Sequence, residues 1–158
     1  MEIASPPPAP PSEEEVAGYY GGVPGRPRLV ARSNAATEPW SMKSNTFEPI
    51  GQHPLVLLWN GSTGPLWRDI LKALEETEWI TIDIFRIGYE SKGNPVKLLV
   101  TVEQGSTNWL AGWVVATKCR DVLREYGIMD VEVEFKEGQG RITDFCAVAQ
   151  DELPMDMY

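Results

Sequence analysis

Few side chains in this sequence could carry out covalent or metal chemistry. The chain contains one histidine, His53, and two cysteines, Cys119 and Cys146. Cys119 with His53 is the one pair that could form a nucleophilic thiolate, but Cys119 falls among core positions of a predicted helix, where a cysteine usually packs as a small apolar residue. These three residues also lack the short ligand spacing of a zinc site. The sequence therefore predicts no catalytic residue, no metal site and no cofactor.

Charge and hydropathy exclude several classes of partner. The 158 residues include 14 Lys and Arg against 23 Asp and Glu, which gives a formal net charge of −9. An acidic surface repels nucleic acids and anionic membranes, and the chain has no run of about 18 apolar residues that could span a bilayer. The N-terminal residues do not resemble a secretory signal. We therefore expect a cytoplasmic or nuclear protein that is not secreted and binds neither nucleic acid nor membrane.

The first 53 residues read mostly as irregular structure. Residues 1–17 are predicted to be a disordered leader rich in proline and glutamate, with PxxP spacings at Pro7/Pro10 and Pro8/Pro11 but an acidic rather than a basic flank. Residues 18–53 carry aromatic residues and arginines that free linkers rarely contain, so they predict an arm packed on the body. Its arginines are expected to meet part of the excess of carboxylates. They are Arg26, Arg28 and Arg32.

Residues 54–137 predict the folded body. An apolar run at 54–59 indicates a buried strand, and helical spacing from Pro65 indicates a first helix. Period-two alternation predicts strands at 79–89, 96–103 and 131–136, with Glu132, Glu134 and Lys136 on the outer face. A second helix is expected from about Ser106 to Tyr126, in which the interior Gly112 requires close packing against a neighbour.

The element order predicts an α+β two-layer sandwich of the ferredoxin-like βαββαβ kind. Its four-stranded antiparallel sheet would carry two helices on one face. Residues 138–158 are expected to form a C-terminal extension, with a possible edge strand at 142–149 and then a frayed tail.

Five short motifs are distinctive: Gly-Tyr-Tyr-Gly-Gly at 18–22 and those at 26–32, 53–54, 85–89 and 130–134. Together they resemble the N-terminal region of a family of uncharacterised fungal proteins. The resemblance implies a fungal intracellular protein and a domain that in longer members precedes a segment similar to trypsin-like peptidases. Such a segment would need its own His, Asp and Ser, and the one histidine of this chain lies upstream of the whole body.

The outer face of the predicted sheet is the basis for a hypothesis about function. Four large apolar residues, Trp79, Phe85, Ile87 and Leu99, project away from the helices, which is more than scattered surface residues explain. Either the arm or the strand at 142–149 covers them, or they bind a second copy or another protein. The sequence therefore favours a non-catalytic interaction or regulatory module. The alternative is an accessory domain of a hydrolase whose catalytic part is absent from this chain.

Overall fold

A computed structural model describes residues 7–59 and 64–138 of the protein. The possible edge strand at 142–149 and Cys146 lie outside these residues. Four helices and five strands occur in the described ranges. The helices are α1 (Glu13–Gly18), α2 (Pro54–Trp59), α3 (Pro65–Ala73) and α4 (Trp109–Glu125), and the strands are β1 (Leu29–Arg32), β2 (Thr46–Glu48), β3 (Trp79–Gly88), β4 (Val96–Val102) and β5 (Glu132–Glu137).

The sheet is mixed and five-stranded, in the order β1-β5-β4-β3-β2. Neighbouring strands pair antiparallel except β4 and β5, which pair in parallel and are joined by α4. The predicted four-stranded antiparallel ferredoxin-like sheet is therefore wrong. In that fold a first strand at 54–59 would separate β4 from β5, whereas here the two are direct neighbours and the arm supplies both edge strands.

The segment at 54–59 forms helix α2 instead of a strand. A short apolar run fits a buried strand and a helix equally well, and Pro54 occupies the first helical position, where its missing N–H costs nothing. The side chain of His53 accepts a hydrogen bond from the backbone N–H of Leu55 at 3.0 Å and so caps this turn. Leu55 is fully buried while Leu57 is 82% exposed, so the helix buries one side only.

The other long elements follow their sequence pattern. Helix α3 starts at Pro65, and α4 starts after Asn108, whose side chain accepts a hydrogen bond from the N–H of Ala111. The C-terminal end of α4 is followed by Gly127, whose φ of +83° few other residues adopt. A Cβ atom at Gly112 would lie 3.0 Å from Cγ1 of Val30, which confirms that this glycine allows close contact between α4 and β1.

Two apolar clusters lie on opposite faces of the sheet. The helix-side cluster joins α2, α3 and α4 to the inward residues of the sheet, such as Leu98, Val133 and Phe135. The arm-side cluster lies under residues 19–47. The arm is thus a second covering layer, and the leader contributes helix α1 where the sequence indicated disorder.

Candidate functional site

The predicted outer-face residues lie mostly beneath the arm. Leu99 and Ile87 are buried, with 0% and 2% of their surface exposed, Phe85 is half-buried, and Trp79 is 37% exposed. The ring of Phe85 stacks on that of Phe47 from β2, with centroids 4.8 Å apart. The rest of the arm-side cluster comprises Tyr19, Tyr20, Val23, Leu29 and Trp40. Of the four residues, only Trp79 at the start of β3 presents a large exposed surface to a partner.

A fully buried carboxylate, Glu134, lies next to this cluster on β5. Its Oε2 accepts hydrogen bonds from Nζ of Lys97 at 3.0 Å and from the hydroxyl of Tyr19 at 2.5 Å. Its Oε1 accepts one from the hydroxyl of Tyr20 at 2.7 Å. The parallel register pairs Glu134 with Leu99, which places Lys97 two residues away on the same face of β4. We call these four residues the Glu134 network: Tyr19, Tyr20, Lys97 and Glu134.

The Glu134 network is arranged for stability rather than for proton transfer. Burial, and next the charge of Glu134, raise the pKa of Tyr19 and of Tyr20 well above 10. Both phenols therefore remain protonated donors, and the ammonium of Lys97 balances the carboxylate. Every oxygen of Glu134 is occupied by a side chain of the protein itself, so the network ties the two tyrosines of the arm to the sheet.

Arg32 anchors helix α1 in the same region. Its guanidinium is 4% exposed and forms an ion pair with Glu15 at 2.9 Å. It also donates to the backbone carbonyl of Glu38 at 2.9 Å and lies 5.2 Å from the ring centre of Tyr19. Arg28 pairs with Glu13 at 3.0 Å, so two of the three arm arginines meet carboxylates, as the sequence predicted.

A polar cleft of about 350 Å³ lies beside the Glu134 network. Its lining includes Arg32 and Lys97, the two buried cations of this region. Each already has a carboxylate partner, Glu15 and Glu134 respectively. Neither of these two buried cations is therefore free to pair with a charged ligand in the cleft.

The structure places His53 directly before α2 and Cys119 within α4. Nδ1 of His53 accepts the N–H of Leu55, which leaves Nε2 to donate to Oδ2 of Asp130 at 2.9 Å. Neither ring nitrogen is free to activate a nucleophile, and the hydrogen bond from His53 lowers the pKa of Asp130. Cys119 is fully buried in the helix-side cluster, where burial raises the pKa of its thiol to about 12.

We expect Cys119 to resist thiol reagents in the native protein. Raising the pKa to about 12 lowers the thiolate fraction at neutral pH on the order of a thousandfold, and the core also excludes the reagent. The measurement is the rate at which a chromogenic disulfide labels the Cys146→Ser variant under native conditions. The control is the same variant in about 6 M guanidinium, a concentration that unfolds most proteins. Native labelling as fast as in denaturant would contradict the buried position.

Within residues 7–59 and 64–138, no group of three or more His, Cys, Asp or Glu side chains could hold a metal ion. None of the helices described there is long and apolar enough to cross a membrane.

The arm and α4 enclose an aromatic groove of about 330 Å³. We use this name for the space bounded by Trp40, by Trp109 and Trp113 of α4, and by residues 8–12, which we call the leader segment. Nε1 of Trp113 is buried without a hydrogen-bond partner in the described protein. This groove was not predicted from the sequence, although the PxxP spacings and the two tryptophans four residues apart are signals of it.

An apolar ridge lies beside the aromatic groove on the same helix. Leu110 and Val114 follow Trp109 and Trp113 by one residue each, and they are 42% and 40% exposed. Side chains four residues apart lie one above the other on a helix, so Trp109 with Trp113 and Leu110 with Val114 form two adjacent rows along α4, of which the second is an exposed strip. An exposed strip of this kind next to an unfilled groove is typical of a binding surface.

Comparisons with protein-family models, with curated proteins and with solved structures found no match to this chain.

Proposed function

We propose that this protein is a non-catalytic interaction module of the cytosol or nucleus that binds another protein through the aromatic groove and its ridge. The observation that carries the proposal is the groove itself, a space of about 330 Å³ lined by three tryptophans beside exposed Leu110 and Val114. Aromatic residues in a groove supply large apolar contact area, and tryptophan is enriched among residues that dominate binding energy.

The groove is a better candidate for the partner site than the outer sheet face. Leu99 and Ile87 are covered by the arm, so a partner on that face would first have to displace residues 19–47. The ridge is already exposed, so a partner can contact Leu110 and Val114 while the arm stays in place. Trp79 lies at the opposite end of β3 from Ile87, which pairs with Phe47 of the arm.

The non-catalytic part of the proposal rests on the state of the reactive side chains. Both nitrogens of His53 have partners, and the Cys119 thiol is buried with a raised pKa. A screen for peptidase and esterase activity tests this directly. Turnover that is lost in the His53→Ala variant would overturn it and favour a role in hydrolysis.

The test of the binding surface is a ridge variant with two substitutions, Leu110→Glu and Val114→Glu. Both positions are exposed, so we expect stability to change by less than about 1 kcal/mol while a partner that crosslinks at the ridge is lost. A photoreactive residue at position 114 of the otherwise unchanged protein would capture that partner for identification by mass spectrometry. The same residue at position 57, which is 82% exposed on α2, is the matched control. Equal crosslinking at both positions, or a partner retained by the ridge variant, would contradict the proposal.

A further inference from the structure

We propose that residues 142–149 of this chain form a further strand that pairs in parallel with the open edge of β3. We use the name open edge for the side of residues 79–85 that faces away from β4. This surface is distinct from the aromatic groove, so the pairing does not depend on the proposed function.

Most of β3 has a neighbouring strand on one side only. It pairs with β4 from residue 79 to residue 86, whereas β2 pairs only with residues 86–88. Within the described ranges, residues 79–85 therefore have no strand beside them on the β2 side. An unpaired sheet edge of this length readily accepts another strand, and natural proteins usually cover such an edge.

Two residues of β3 direct their backbone groups to the open edge. The N–H of Ile87 donates to the carbonyl of Pro95, on the β4 side. The direction of these groups alternates along a strand, and the register with β4 is regular from residue 81 to residue 86. The N–H and C=O groups of Ile82 and Ile84 therefore point away from β4. In the described part of the chain, no turn, loop or helix forms a backbone hydrogen bond with them.

The side chains along the open edge are apolar and only partly covered. Ile82 and Ile84 pack against the helix-side cluster but remain partly buried, and so does Ile80. Trp79, at the start of the strand, is 37% exposed. A strand added here would remove apolar surface from water as well as satisfying the backbone groups.

The described chain ends beside the start of the open edge. The N–H of Gly138 donates to the carbonyl of Val102 at 2.8 Å, and Val102 lies opposite Trp79. A Cβ atom on Gly138 would lie 3.0 Å from Cδ1 of Ile80. After β5 the chain has therefore crossed to the end of β4 and reached β3. The sequence continues from this point with residues 139–158.

Residues 142–149 have the composition of a strand. They read Ile-Thr-Asp-Phe-Cys-Ala-Val-Ala, with β-branched and aromatic residues and with neither proline nor glycine. Residues 139–141, which connect them to Gly138, include a second glycine, Gly140. The apolar content of the segment matches an edge that is itself apolar.

The length of the connection fixes the direction of pairing. From Gly138 to Ile142 the chain spans up to about 14 Å, and a strand beyond β3 lies two strand spacings, about 10 Å, from β4. The segment can therefore reach the open edge beside Trp79. The far end of that edge is about 20 Å further on, too distant to be reached first. A strand that begins beside Trp79 runs parallel to β3.

The experiment measures amide hydrogen exchange by NMR in the full chain. In the unchanged protein, we expect the amides of Ile82 and Ile84 to exchange at least on the order of a hundredfold more slowly than unstructured amides, because the added strand accepts their hydrogen bonds. The amide of Asp83 points to β4 and is the internal reference. Exchange of Ile82 and Ile84 at the rate of unstructured amides would overturn the proposal.

A variant with two adjacent prolines tests whether the segment is what protects these amides. Cys146→Pro with Ala147→Pro removes two successive N–H groups, one of which must point to β3 in any register. We expect exchange at Ile82 and Ile84 to become on the order of tenfold or more faster, while the rate at Asp83 stays the same. If the rates at Ile82 and Ile84 do not change, another part of the protein covers the edge and the proposal is wrong.

The matched control is Gln150→Pro with Asp151→Pro, just beyond the segment. It should leave every rate on β3 as it is in the unchanged protein, and an effect as large as that of the first variant would contradict the assignment to 142–149. Sedimentation of the unchanged protein distinguishes pairing within one chain from exchange between two chains. We expect a monomer; a dimer that the first variant dissociates would show that a second copy fills the edge, and the proposal would fall.

Discussion

Replacing Glu134 with alanine is expected to lower the free energy of unfolding by about 3–5 kcal/mol, because it leaves a buried lysine without its counter-charge. Glu134 is fully buried and holds Lys97 at 3.0 Å, and Lys97 itself is 6% exposed. The hydroxyls of Tyr19 and Tyr20 would lose their acceptor at the same time. The measurement is urea unfolding followed by far-UV circular dichroism.

The matched control for this prediction is Glu132→Ala on the same strand. Glu132 is partly exposed, pairs with Arg120 at 3.3 Å and accepts a hydrogen bond from Ser33 at 2.6 Å, so its loss should cost about 1–2 kcal/mol. The double variant Lys97→Met with Glu134→Leu removes both charges, and we expect it to regain much of the stability that Glu134→Ala loses. If Glu134→Ala costs no more than Glu132→Ala, the network does not anchor the arm.

The sequence predicted those elements that have long and regular periodicity. Helix α4 carries a cap at Asn108 and a terminating Gly127, and strands β3 and β4 alternate over 10 and 7 residues, so local information was sufficient. Six apolar residues at 54–59 could not be assigned in the same way, because a run of that length has no distinguishable period. The fold class was wrong for that reason.

Strands β1 and β2 were not predictable from local pattern. They contain 4 and 3 residues and lie in a segment rich in glycine and proline. Their pairing is non-local: Ala31 lies opposite Phe135, and Phe47 lies opposite Ile87. Short strands of this kind are stabilised by the sheet edge that they join, and nothing near them in sequence identifies that edge.

The candidate sites, too, could be predicted from local sequence pattern only in part. Alternation correctly placed Glu134 and Leu99 on the outer face, but a period-two pattern cannot distinguish a face in solvent from a face under an arm. From the alternation alone, a glutamate on such a face is predicted to be exposed, because the tyrosines that cover Glu134 are distant in the sequence. The aromatic groove likewise joins residues 8–12 to Trp113, about a hundred positions apart in the sequence.

Replacing Leu99 with alanine should lower the free energy of unfolding by about 2–5 kcal/mol, the range found for leucines in hydrophobic cores. Leu99 belongs to the arm-side cluster and has 0% of its surface exposed, so replacing it by alanine leaves a cavity beneath the arm. Its neighbour Leu98 is equally buried but faces the helices. The two variants thus compare the two faces of one strand with the same residue type and the same burial.

The comparison of Leu99→Ala with Leu98→Ala decides whether the arm is part of the fold or a removable cover. If the two losses of stability agree within about 1 kcal/mol, the arm-side cluster is a second core and the outer sheet face is closed to partners. If Leu99→Ala costs much less, the arm is held weakly. Phe85→Glu would then yield a folded protein with the arm released, and partner binding on that face would have to be reconsidered. We expect the first result, because the Glu134 network ties Tyr19 and Tyr20 of the arm to β4 and β5, and the ion pair between Arg32 and Glu15 ties helix α1 to β1.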